Sequence, residues 1–114
     1  MLTIYHNPRC SKSRQTLALL NVANVEHRVY LYLNEPLGPD ELNAIKSALQ
    51  VNSFMDMMRT KEPEFKTARL SATSSENDLL NALIQYPKLL ERPIVSNGTQ
   101  AIIGRPPENV NVLL

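Results

Sequence analysis

Cys10 is the only cysteine of a 114-residue chain, and its neighbours are suited to thiol chemistry. The segment reads His6-Asn7-Pro8-Arg9-Cys10-Ser11-Lys12-Ser13-Arg14. Asn7-Pro8 is a turn signal, which places the thiol between the end of a strand and the start of a helix. Free N–H groups at a helix N-terminus favour negative charge, and a thiolate is such a charge. An ordinary thiol, with a pKa of about 8.5, is only about 3% ionised at pH 7. The helix end contributes about 0.3–2 kcal/mol towards the charged form, so further stabilisation is needed for a reactive thiolate. His6, Arg9, Lys12 and Arg14 are the nearest candidates in sequence to supply it. The same N–H groups can hold an oxyanion beside the sulfur, and Ser13 can hydrogen-bond either the sulfur or an anion oxygen.

Composition narrows the setting. Twelve basic and 11 acidic residues leave a net charge of +1, which gives no electrostatic footprint for nucleic acid or a membrane surface. Hydrophobic residues make up 43%, a globular proportion, but aromatics only 5%, so the core must be mainly aliphatic. One cysteine cannot form an internal disulfide. The N-terminus lacks a charged leader followed by a long apolar stretch, and no apolar run approaches a membrane span. A cytoplasmic protein of one domain over residues 1–114, with its thiol kept reduced, is therefore expected.

The elements that must position Cys10 can be read from periodicity. Leu2 to Tyr5 is a short β-prone segment, and Ser11 to Ala23 reads as a helix with Leu17, Leu20 and Ala23 on its apolar face. Val25 to Leu33 reads as a second strand, parallel to the first through a right-handed crossover. Gly38-Pro39-Asp40-Glu41 starts a helix that ends near Gln50, with Leu42, Ile45 and Leu49 on one face. Ser53 to Met58 suggests a short helical turn, and Lys61 to Leu70 an irregular stretch broken by Pro63. Ser75 to Tyr86 is a helix with a capping Ser75-x-x-Asp78 and a stripe of Leu79, Leu80, Leu83 and Ile84. Pro93 to Ser96, Asn97-Gly98 and Gln100 to Ile103 form a hairpin pattern, and Pro107 to Leu114 a last partial helix. The order β-α-β, a helical insertion, then β-β and a short helix predicts an α/β protein. Its layout is thioredoxin-like: a central mixed four-stranded sheet flanked by helices.

Several segments together resemble the glutaredoxin-coupled arsenate reductase family, in particular its short-chain subgroup without a longer C-terminal extension. His6-Asn7-Pro8-x-Cys10-x-x-Ser13-Arg14 resembles the family's active-site loop. Leu31-Tyr32-Leu33 with Asp40-Glu41-Leu42 is similar to its second strand and following helix start. Met58-Arg59 with Lys61 and Pro63 is similar to its central arginine segment, one residue short in spacing. Gln85-Tyr86-Pro87-x-Leu89-Leu90-x-Arg92-Pro93-Ile94-Val95 matches its longest C-terminal signature, and Gly104-Arg105-Pro106 its final arginine loop.

The resemblance implies a thioredoxin-like fold with Cys10 as nucleophile, and His6 and Ser13 as the pair supporting its thiolate. Arg59, Arg92 and Arg105 are then the guanidinium groups that bind the oxyanion. It further implies a cis Arg92–Pro93 peptide, arsenate as substrate, glutathione as co-substrate and glutaredoxin as partner. No metal, no tightly bound cofactor and a monomeric state are expected. Planar guanidinium forks suit a tetrahedral dianion, and their charge offsets the repulsion between it and an attacking thiolate. With one cysteine, any covalent intermediate must be resolved by an external thiol.

Other classes remain open at this level. A Spx-like transcription regulator binding RNA polymerase shares the fold and the Arg-Pro-Ile segment, but usually carries a second cysteine where this chain has Ser13. A thiol oxidoreductase with another oxyanion or a mixed-disulfide substrate is a further reading. A thioredoxin-like domain with an inert thiol is the last.

Overall fold

A computed structural model describes residues 1–114. Strand β1 (Leu2–Tyr5) leads through the cysteine loop into helix α1 (Ser11–Val22) and strand β2 (His27–Tyr30). Helices α2 (Pro39–Leu49), α3 (Pro63–Thr67) and α4 (Glu76–Gln85) make up the middle of the chain. Strands β3 (Ile94–Ser96) and β4 (Ala101–Ile103) follow. Three 3-10 segments, Phe54–Met57, Pro87–Leu89 and Pro107–Leu113, complete the order.

The sheet runs β2-β1-β3-β4. β1 pairs in parallel with β2, while β3 is antiparallel to both β1 and β4. This is the mixed four-stranded, thioredoxin-like arrangement expected from the element order. Its central strands alternate between two apolar layers. Ile94 belongs to the larger cluster, with Tyr32, Leu42, Leu79 and Leu83 from the middle of the chain. Leu2, Ile4 and Val95 belong to the smaller one, with Leu20 of α1 and Val110 of the last segment.

Local chemistry sets the element ends. Gly38 N–H donates to Glu41 Oε2 at 2.8 Å, and Pro39 opens α2, where its missing N–H costs nothing. Ser75 Oγ accepts from Asp78 N at 3.1 Å to cap α4. Glu76 then ties α4 to the preceding 3-10 segment by accepting from Phe54 N–H at 2.8 Å and from the Ser53 hydroxyl.

The structure corrects several expectations. The strand expected over Val25–Leu33 is only His27–Tyr30, because Asn34 and Glu35 N–H groups both turn back to Leu31 C=O at 3.0 Å. The stretch expected to be irregular contains α3, which Pro63 starts at the first helical position instead of breaking. The final segment is 3-10, not α. The buried face of α1 is Ser13, Thr16 and Leu20, while Ala23 lies exposed beyond its end. Ser13 and Thr16 tolerate burial because each hydroxyl is hydrogen-bonded, Thr16 to Lys12 C=O at 2.8 Å.

Candidate active site

Asn7 builds the loop that holds Cys10. Its carbonyl accepts from Cys10 N–H at 3.0 Å, its side-chain oxygen accepts from Arg9 N–H at 3.0 Å, and its own N–H donates to Ser13 Oγ at 3.0 Å. The turn delivers Cys10 to the N-cap of α1 in an extended conformation. The sulfur is thereby placed before the open N–H groups of the first helical turn, and it remains partly exposed.

Burial pushes the Cys10 thiol up. Hydrogen bonds from Ser13 N–H, the Arg92 side chain, Lys12 N–H and the Arg105 side chain outweigh that effect, so its pKa lies below the ordinary thiol value. Arg105 Nη1 stands 3.8 Å from Cys10 Sγ and also donates to Arg92 C=O at 3.1 Å. One guanidinium thus reaches Cys10, 95 residues away in sequence, and the carbonyl that precedes Pro93.

The cations adjacent in sequence behave differently from expectation. Arg14 Nη1 donates to Pro8 C=O at 2.9 Å, bracing the loop from outside. Arg9 is exposed and Lys12 half-buried, and Lys12 serves the sulfur through its backbone N–H. His6 does not bring positive charge: burial, followed by the Arg14 charge, pushes its pKa down. Its Nδ1 lies 2.6 Å from Ser13 Oγ. The fully buried Ser13 hydroxyl is therefore occupied by His6 and Asn7, and it is the Ser13 backbone N–H that faces the sulfur. His6 and Ser13 act together as a brace for the loop.

Of the three distant arginines, Arg92 and Arg105 reach the thiol, and Arg59 is joined to Arg92 through Glu62. Arg59 follows the 3-10 segment Phe54–Met57, and its N–H donates to Leu89 C=O at 2.7 Å. Next to it, Met58 forms an isolated bridge with Leu90, which joins this segment to the one carrying Arg92. Arg92 precedes β3 through a cis peptide to Pro93, as expected, and Arg105 precedes a second cis proline, Pro106, that was not foreseen. Arg92 Nη1 donates to Lys88 C=O at 3.2 Å, and its Nε is buried without a partner.

Sequence reasoning missed four contributors. Glu62 Oε1 accepts from Arg59 Nε at 3.1 Å and Arg92 Nη2 at 3.5 Å. Glu91 Oε2 lies 3.9 Å from Arg105 Nε. Tyr32 is buried, and burial pushes its phenol up to about 12. Asn7 was read only as a turn former. Their signals were weak: an acidic residue among many, and a tyrosine in an apolar run.

Two cavities flank the arginines. One of about 550 Å³ has His6, Asn7, Arg9, Glu62, Lys88 and Arg92 in its wall. One of about 310 Å³ has Arg59, Lys61, Glu91 and Arg105. A partly exposed thiol of lowered pKa, helix N–H groups and guanidinium forks can together activate a sulfur nucleophile and hold an oxyanion against it.

The sheet order and the thiol at the first strand–helix junction define a thioredoxin-like protein with a single-cysteine loop. Within that class the sequence matches the ArsC family over residues 5–113, and the chain belongs to this family. It is 49% identical over 108 residues to YfgD of Escherichia coli (strain K12), described as uncharacterized, covering 94% of this chain and 91% of that one. It is 44% identical to the arsenate reductase of Haemophilus influenzae, covering 97% of each. The solved structure of an arsenate reductase from Vibrio cholerae superposes with a TM-score of 0.94 at 43% identity, over 99% of this chain and 97% of that one. No helix is long and apolar enough to cross a membrane.

Proposed function

We propose that this chain is an arsenate reductase in which Cys10 is the nucleophile. The observation that carries the reading is the Arg105 guanidinium 3.8 Å from Cys10 Sγ, beside the N–H groups of α1. The Cys10 thiolate attacks arsenic, one arsenate oxygen leaves as water, and a thiol–arsenate adduct forms. Arg59, Arg92 and Arg105 hold the anion and offset its repulsion of the thiolate. Glutathione then attacks the Cys10 sulfur: the S–As bond breaks with its electron pair passing to arsenic, which leaves as arsenite, and a Cys10–glutathione disulfide forms. Glutaredoxin and a second glutathione close the cycle, so that two thiols leave as one disulfide. The external thiol is required because Cys10 has no partner cysteine to resolve the adduct. Such a cycle belongs in a reducing compartment, the cytoplasm, and the chemistry calls for only one copy of the chain.

A coupled assay tests this. Protein, arsenate, glutathione, glutaredoxin and glutathione reductase are combined, and NADPH loss is followed. Wild type is expected to turn over, and Cys10→Ser to fall to background with an unchanged circular dichroism spectrum. Activity retained in Cys10→Ser would overturn the role of the thiol. Faster turnover of a glutathionylated peptide than of arsenate would favour a different oxidoreductase.

A further inference from the structure

We infer that Glu62 is a positioning residue that sets the spacing of two oxyanion-binding guanidinium groups, Arg59 and Arg92. This inference rests on the reading of those arginines as the anion site. A single carboxylate oxygen, Oε1, receives Arg59 Nε at 3.1 Å and Arg92 Nη2 at 3.5 Å. The two arginines come from unrelated stretches of chain, and left alone their like charges repel. An acceptor between them removes that repulsion and fixes both forks in one orientation, which a tetrahedral anion requires for paired hydrogen bonds.

Glu62 is itself held at both backbone ends. Its N–H donates to Arg59 C=O at 3.2 Å, and its C=O accepts from Phe65 N–H at 3.0 Å. It is the N-cap of α3, locked against Pro63 at the first helical position, and its side chain is only 22% exposed. The short helix α3 therefore acts as the mount of the carboxylate. Arg92 Nε remains buried and unpartnered beside this bridge, so Arg92 retains an unused donor while Glu62 holds its Nη2. Thr60 and Lys61 form the turn that brings Glu62 back onto Arg59.

Such a role differs from a simple charge effect. A carboxylate acting only by its charge would weaken anion binding, and its removal by any uncharged residue would tighten it. A carboxylate acting as a spacer is replaceable by a neutral side chain of the same length that still accepts a hydrogen bond. Glu62→Gln keeps an acceptor oxygen at nearly the same reach, whereas Glu62→Met keeps the length and lacks one.

The test is protection of Cys10 from iodoacetamide by arsenate and, separately, by sulfate, which needs no turnover. Glu62→Met is expected to weaken protection roughly fivefold, the scale of one lost hydrogen-bond acceptor, while Glu62→Gln stays within about twofold of wild type. In the coupled assay the Met variant should raise KM for arsenate and lower kcat, with KM for glutathione unchanged. Equal losses in both variants, or protection by the Met variant as good as or better than wild type, would overturn the inference. If the Met variant does not fold, Glu62→Ala is read in the same way. Protection in wild type without turnover of arsenate would overturn the proposed reaction and leave the spacer role standing.

Discussion

At the scale of residues, the thiol owes its lowered pKa first to the Ser13 N–H of the adjacent helix end, with Lys12 N–H, and to two side chains distant in sequence, Arg92 and Arg105. Arg9, Lys12 and Arg14 are the nearest cations along the chain, yet none of their side chains is directed at the sulfur in the way Arg105 is. Alkylation by iodoacetamide as a function of pH is expected to reach half its maximum below the ordinary thiol value of about 8.5. Arg105→Ala removes one of the hydrogen bonds that favour the thiolate, and the midpoint should move upward. Arg14→Ala should leave it nearer to wild type, since Arg14 is bonded to Pro8 C=O and braces the loop from outside. A midpoint unaffected by Arg105→Ala would mean that the helix N–H groups alone hold the charge. The placement of Cys10 at a strand–helix junction was legible from the Asn7-Pro8 turn, whereas the pairing of His6 with Ser13 came only from the resemblance. The bridging contacts of Glu62 were not legible, because Arg92 lies 30 residues away and no local pattern connects them.

At the scale of elements, the strongly patterned pieces were legible and the weakly patterned ones were not. β1, α2, α4 and the closing hairpin follow from alternation, caps and turn residues. β2 is short and mostly exposed at the edge of the sheet, so no buried face enforces its length, and the chain leaves it at Tyr30. α1 was recognised, but its buried face was misplaced because two of the inward residues, Ser13 and Thr16, are polar. Their satisfaction by local acceptors and donors is a tertiary property, invisible to hydrophobic periodicity. Thr16 also explains Gly104. A Cβ at that position would sit 2.6 Å from Thr16 Oγ1 and 2.8 Å from Pro93 Cγ, so α1, the start of β3 and the end of β4 meet where only a glycine fits. Gly104→Ala is expected to cost about 1–3 kcal/mol in denaturant unfolding. It should also lower activity more than that loss of stability accounts for, because Arg105 is the next residue. Unchanged stability would show that the junction can open without strain.

At the scale of the molecule, folding and the state of the site are linked through His6. Its folded pKa lies below the unperturbed value of about 6.5, chiefly because it is buried. Between that value and the lower folded one, the unfolded chain takes up a proton that the native protein refuses. His6 therefore contributes stability that is fully present above about pH 6.5 and is lost as pH falls. Denaturant midpoints measured from pH 7 to pH 5 should fall, and His6→Asn should flatten part of that slope while lowering the midpoint at pH 7. A slope identical in the variant would assign the acid sensitivity to other groups. The bond between Arg105 and the thiol has a temporal side as well. Translation delivers residue 10 to the cell long before residue 105 exists, and the helix that receives the sulfur cannot pack until the sheet is complete. A chain that has not yet acquired residue 105 lacks that contact to the sulfur. The full acidity of the thiol is thus a property of the joined sheet and not of the loop alone.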